Sequence, residues 1–240
     1  MIALLPFWVG PTEHYILHEG LTNTLKMAAA ALIASLVIGV LLGVLITIHF
    51  LPLRALIRLY IEVWRGLPLI VTILGVYFVA PTLSPHLEFN AVTATAVGLS
   101  LWGSAQIAEA TRGAVQSIPY EQHEAAAALG FGWMGRQTYV IFPQALRRLL
   151  PPVVTLMVGI IQNTTLATVI GGSDLLGTGQ RQIERLNAPP PQGLGEIHAF
   201  EIYAAIMVAF FVISFPLTRL AAYLERRLGR VAAGVPAPPA

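Results

Sequence analysis

Few side chains in this chain are equipped for chemistry, and the strongest candidates sit beside long uncharged runs. Glu109 and Arg112 close one such run, in the segment Ala105-Gln-Ile-Ala-Glu-Ala-Thr-Arg-Gly113. A carboxylate this near hydrocarbon must be paired, protonated or turned to water. The i, i+3 spacing to Arg112 offers a local ion pair; a place beside a solute pathway is the other account of the same residue. Thr155, Gln162, Asn163, Thr164 and Thr165 make a second polar group within an otherwise apolar run. Residues seven and ten apart on a helix return to nearly the same side, so Thr155, Gln162 and Thr165 share one or two faces. Unpaired polar groups are costly in lipid, so these faces meet either other helices, as hydrogen-bonding glue, or a water-filled cavity. Asp174, in Gly-Gly-Ser-Asp-Leu-Leu176, reads as a solvated loop acid.

Several other chemistries are excluded or weakly supported. The chain has no Cys, which removes disulfides and thiolate metal sites. Of six His only His14 and His18 have a helical i, i+4 spacing, with Glu13 and Glu19 beside them; solvated polar groups are expected there rather than metal ligands. A phosphate loop needs Gly-x-x-x-x-Gly-Lys-Ser/Thr. The single Lys, Lys26, follows Leu25, so the chain carries no such ATP site. No nucleophile elbow and no zinc-type His-Glu pairing is present. A formal charge of +2 is no nucleic-acid signal.

The elements that must position these residues are membranous. Hydrophobic residues make up 56% of the 240-residue chain and charged residues 11%, against about 25% charged in soluble domains. Met27 to Ile48 is an uncharged run of bilayer-spanning length, and its Gly39-x-x-x-Gly43 permits close helix approach. Further spans are expected at about 67–80, 89–108, 152–171 and 202–218. Residues 1–26 form an external N-terminal segment whose apolar start, Met1 to Val9, lacks the basic region of a cleaved signal. The Pro-rich stretch from Ala188 argues against any helix through the polar segment 172–199, and residues 229–240 read as a disordered tail. Eleven of the 14 Lys and Arg fall on one side of this five-span topology. The positive-inside rule therefore puts the N-terminus outside and the C-terminus in the cytoplasm.

The segment Pro119 to Pro143, between two apolar runs, reads as helix, stop, helix, stop. Pro119 suits a helix start and Glu121 and Glu124 suit its positive dipole end. Ala125 to Leu129 favour helix, Gly130 is a C′ residue, and Pro143 ends a second segment from Trp133. The product is a compact helical elbow of small side chains, able to enter a groove on another protein.

Glu124-Ala125-Ala126, then Gly130, then Val140-Ile141-Phe142-Pro143, resembles the "EAA…G…I-x-L-P" loop of ABC importer permeases, with Val140 and Phe142 standing for the family's Ile and Leu. Arg65-Gly66-Leu67-Pro68 resembles the "R-G-T-P" entry to the second span of polar amino-acid permeases; physically, Arg65 is an interfacial anchor, while Gly66 and Pro68 let the chain turn into the membrane. Glu109 to Gly113 is similar to the family's "E-x-x-R-G". The segment from Thr155 resembles "N-x-x-x-x-x-x-K-D-T-S-L", with Thr155, Gln162 and Asn163 replacing Asn, Lys and Asp. The resemblance, from about Leu21 to Leu228, implies an all-α integral membrane protein of five transmembrane helices with the type I ABC importer permease fold. It implies the permease subunit of an ATP-driven amino-acid importer of the histidine/glutamine/arginine group, working by alternating access in a bacterial inner membrane. Glu124, Ala125, Ala126, Gly130 and Pro143 would then couple to the ATPase; Glu109, Thr155, Gln162, Asn163, Thr164 and Thr165 would line the substrate pathway. The implied partners are a second permease subunit, two ATPase subunits, an external solute-binding protein, the amino acid and lipid. The chain itself would hold no cofactor and would be no enzyme, ATP and Mg belonging to the ATPase. A self-sufficient secondary transporter or channel is the competing class; such proteins show intramembrane charges or paired broken helices.

Overall fold

The computed structural model describes Thr12 and residues 14–48, 50–189, 195 and 198–232, with side chains described as far as Leu228. Met1–Val9, Glu13, Pro190–Pro191 and residues 233–240 lie outside them. The described residues form eight principal helices and no strand. They are α1 (Ile16–Leu45), α2 (Leu51–Gly66), α3 (Leu69–Leu83), α4 (Ala91–Gln116), α5 (Tyr120–Ala128), α6 (Trp133–Ile170), α7 (Leu175–Asn187) and α8 (Ala199–Ala232).

Among these, α1, α6 and the Ala199–Leu228 part of α8 are each long and apolar enough to cross a bilayer; α2 and α3 pass that test only as a pair. The structure redraws several boundaries read from the sequence. Helix is already in place at His14 and Tyr15, well before Met27, and Ile16–Leu21 forms a π turn that leads straight into the α-helical part of α1. The stretch expected as a second span is one helical run over 69–83, about 22 Å long at the usual rise per residue. Leu67 (ψ 137) and Pro68 (ψ 132) are extended and break the helix before it, as the Gly66-x-Pro68 pattern anticipates. Helix α4 runs past Glu109 and Arg112 instead of closing there, and α8 reaches Ala232, into the segment read as a disordered tail.

Pro143 does not stop its helix. Residues Arg136–Ile141 form a π turn, with the Phe142 amide donating to the Gln137 carbonyl, and the α-helical ladder continues through Pro143 to Asn163. A widened turn shifts the bonding register at the place where proline lacks its donor, so the missing bond is absorbed without ending the helix.

The chain divides into two compact units: Met1–Leu32, Pro68–Ser100 and Gly159–Phe215 in the first; Ile33–Leu67, Leu101–Val158 and Pro216–Ala240 in the second. In the first, α7 packs Leu175 and Leu186 against Ile16 of α1 and Ile202 and Ile206 of α8. The segment 172–199, read as irregular, is half helix. Asp174 opens α7 and Ala188 closes it just before the prolines, so the prolines mark the end of the helix rather than forbid one. Asp174 is fully buried, not solvated: its carboxylate accepts from the amides of Leu176 (3.0 Å) and Gly177 (3.2 Å) and from the Thr168 hydroxyl (2.7 Å). Burial pushes its pKa up despite these bonds. Asn23 and Thr24 of α1 bond Ser173 and Leu175 around the same corner.

In the second unit the Gly39-x-x-x-Gly43 pattern is a packing site. A Cβ at Gly39 would lie 2.7 Å from the Ser104 carbonyl oxygen, and one at Gly43 2.7 Å from that of Ala108. The missing side chains let α1 lie directly against α4. Ile57 and Ile61 of α2 complete this core with Ile46 and Ala108. A second core joins Ala114, Val115 and Ile118, at and just beyond the end of α4, to Ile141, Ala145 and Leu149 of α6. It sets the base from which α5 projects.

Candidate coupling and transport sites

Helix α5 has nine residues and too little apolar content on any one side to be buried whole. Its start follows Pro119 (φ −56, ψ 144), and its end is a complete Schellman motif. Gly130, at φ 83, donates to Ala127 (2.9 Å) and Phe131 donates to Ala126 (3.1 Å). Only a residue tolerating positive φ closes a helix this way. Gln144 donates to the Gln122 side chain of α5 (3.1 Å), and just ahead of the helix Arg148 donates to the Ser117 carbonyl (2.6 Å) and hydroxyl (3.0 Å). Of the residues expected to couple, Glu124, Ala125 and Pro143 are exposed and Gly130 is the cap. Ala126 is 2% exposed, the one buried side chain of α5. The sequence reading missed the apolar rim around this elbow. Tyr120 (72% exposed), Leu129 (77%), Met134 (69%) and Tyr139 (72%) present large side chains to the outside. Large exposed hydrophobes on α5, its C-cap and the start of α6 mark an interaction surface.

Glu109 takes the paired option. Arg112 grips its carboxylate with two guanidinium nitrogens, Nε at 2.9 Å, and also reaches the Gln116 side chain. Arg65 Nη1 lies 3.9 Å from the same carboxylate, and Arg65 Nε donates to Gln106 (3.2 Å). The structure thus joins residues the sequence reading had separated, Arg65 of the membrane-entry turn and Glu109, in one network between α2 and α4. Both arginines are partly exposed.

The α6 polar residues are divided between the two units and differ in exposure. In the second unit Thr155 is exposed. In the first, Gln162 is exposed, while the Asn163 amide donates to the Gly159 carbonyl (2.8 Å) and the Thr165 hydroxyl to the Gln162 carbonyl (2.8 Å). Thr164 is fully buried and its hydroxyl bonds the Ile161 carbonyl (2.7 Å), which takes it away from any open surface. Asn163 is followed by a change to 3-10 geometry over Thr164–Ile170, ended by Gly171 at φ 77. His14 and His18 stack with ring centroids 5.1 Å apart, and no group of three or more His, Asp or Glu among the described residues could hold a metal.

Residues 35–230 match the family described as "Binding-protein-dependent transport system inner membrane component". The chain is 36% identical over 213 residues to the glutamine transport system permease protein GlnP of Escherichia coli (strain K12), covering 89% of this chain and 93% of that protein. It is 31% identical over 211 residues to the probable glutamine ABC transporter permease protein GlnM of Bacillus subtilis (strain 168), covering 88% and 92%. The fold is similar to a crystal structure of an amino acid ABC transporter with histidines, with a TM-score of 0.76 and 25% identity over 93% of this chain and 100% of that one. It is also similar in fold to the inward-facing MetNI methionine ABC transporter, with a TM-score of 0.71 and 18% identity over 91% and 98%. The all-helical architecture is that of type I ABC importer permeases, and a self-sufficient secondary transporter is set aside. The chain belongs to the binding-protein-dependent transport system inner membrane components: it is a multi-pass, non-enzymatic permease subunit of an ABC importer, whose ATPase is a separate subunit.

Proposed function

We propose that this permease carries polar amino acids inward and couples to its ATPase through the 119–143 elbow. The observation that carries the coupling reading is α5 itself. A helix started at Pro119 and closed at Gly130, tied to its base by Gln144 and, through Ser117 just ahead of it, by Arg148, exposes Glu124, Ala125 and Leu129 on a projection. Such a shape transmits a push or pull only if it docks into a partner cleft. The amino-acid assignment rests on the glutamine and amino-acid permeases to which the chain is similar.

In this reading five spans cross the membrane, the N-terminus is outside, and α5 and the C-terminus are cytoplasmic. Two such subunits, identical or homologous, enclose the pathway above two ATPases that hold ATP and Mg, and an external solute-binding protein delivers the substrate. Thr155 and Gln162 are the α6 groups that meet the pathway. Asn163 and Thr165 shape its backbone, and Thr164 is withdrawn from it. Gly66 and Pro68 make the entry turn, and Arg65 with Arg112 holds Glu109 ionised beside it.

The test is ATP hydrolysis by the complex reconstituted with its ATPase, with and without receptor loaded from a panel of amino acids, with Leu129→Asp alongside. Hydrolysis that rises with one class of amino acid and collapses in Leu129→Asp is expected. Solute movement that persists without the ATPase overturns the coupling reading. Stimulation by a solute other than an amino acid overturns the substrate class alone.

A further inference from the structure

In the second unit the first turns of α2, the end of α4 and the start of α5 surround a cavity of about 630 Å³. Arg54, Arg58 and Arg112 line it, together with Tyr120 and His123 at the foot of α5. No carboxylate is among the lining residues. The charge of Arg112 is met by Glu109, whose field also reaches Arg58, but among the described residues neither the Arg54 nor the Arg58 guanidinium makes a hydrogen bond or a close ion pair. Two guanidinium groups one helical turn apart repel each other, and their cost falls when an anion sits between them. Guanidinium forks match phosphate oxygens in a bidentate manner.

The neighbouring surface narrows the source of that phosphate. Helix α2 buries Ile57 and Ile61, and at its start, within one turn of Arg54, Phe50 and Leu51 are exposed at 59% and 77%. A free phosphate would satisfy the arginines and leave these two side chains bare. A phospholipid satisfies both, its headgroup among the arginines and its acyl chains against Phe50 and Leu51, in the manner of basic pockets between membrane helices. We infer that this cavity is a binding site for the headgroup phosphate of an anionic phospholipid, held by Arg54 and Arg58 beside the foot of α5. The inference rests on the reading that puts α5 on the cytoplasmic side, at headgroup depth. A lipid in this place braces Pro119, Tyr120 and His123, from which the coupling helix projects.

The test counts phosphatidylglycerol retained by the full-length chain after release from nanodiscs of phosphatidylcholine with or without phosphatidylglycerol, by native mass spectrometry. The double variant Arg54→Gln/Arg58→Gln is expected to lose retention by about tenfold or more, each basic group near an anionic surface contributing comparably. Arg54→Lys/Arg58→Lys keeps part of it. Arg226→Gln/Arg227→Gln, which removes the same charge from the far end of α8, leaves retention unchanged. If the double glutamine variant does not fold, the single variants Arg54→Gln and Arg58→Gln carry the test, with about fivefold losses expected. Retention equal to that of the unmodified chain in the glutamine variants overturns the proposal. So does an equal loss in Arg226→Gln/Arg227→Gln, which would mean a diffuse basic surface. Displacement of the lipid by inorganic phosphate would show a free-anion site and overturn the lipid assignment. Retention needs neither nucleotide nor solute, so failure of the transport reading leaves this result readable by itself.

Discussion

Substituting Gly130 isolates backbone strain from packing. The residue stands at φ 83, and a Cβ built there meets nothing within 4 Å. Any loss therefore comes from forcing an L-residue into the left-handed region, which costs about 1–2 kcal/mol. That amounts to about a 5- to 30-fold fall in the population of the Schellman-closed form. Asparagine visits this region with less penalty, and a β-branched residue pays the most. The expected order of receptor-stimulated ATP hydrolysis is Gly130, then Gly130→Asn, then Gly130→Ala, then Gly130→Val. Basal hydrolysis by the detached ATPase stays constant. Circular dichroism and thermal melting of the purified permease should change little, because α5 contributes nine residues and only one buried side chain. Equal activity of the Asn and Val variants would refute the reasoning, since it would mean that the closed form is not what docks.

Four further outcomes are expected. Gly43→Leu drives a side chain into Thr111 and the Ala108 backbone and should destabilise the permease by about 1–3 kcal/mol. Gly113→Ala, where nothing lies within 4 Å, should stabilise α4 by about 0.5–1 kcal/mol; both are read by thermal unfolding in detergent. Asp174→Ala removes the α7 cap and should cost about 0.5–2 kcal/mol, with Asp174→Asn much milder. Because burial raises the Asp174 pKa, the folded state holds its proton to higher pH than the unfolded chain does. Its contribution is therefore greatest at pH below the ordinary carboxylate range and declines as pH rises through the folded value; Asp174→Asn should flatten that decline in a melting-temperature series. Thr155→Ala and Gln162→Ala should each raise the KM for solute uptake with little effect on folding, whereas Thr164→Val should lower stability and leave KM alone.

Local chemistry made much of this protein legible without coordinates. The uncharged runs and scarce charges could be accommodated only by membrane helices. Pro119 and Gly130 bracket α5 because their backbone preferences act within a few residues. The Glu109–Arg112 spacing places its own partner one turn away. What the sequence could not decide depended on neighbours distant in the chain. Asp174 looks solvated as a loop acid, but Thr168 and the α7 amides fold over it and bury it. Pro143 looks like a stop, but the π turn ahead of it shifts the bonding register so that the helix continues. Gly39 and Gly43 carry only a weak motif until α4 lies against them, and Thr164 is indistinguishable from Thr165 until packing buries one hydroxyl. Arg54 and Arg58 read from the sequence as a charge bias for one side of a membrane. Only when α2, α4 and α5 meet do they line a cavity with no carboxylate in it, because charge is a property of residues and its neutralisation a property of their arrangement.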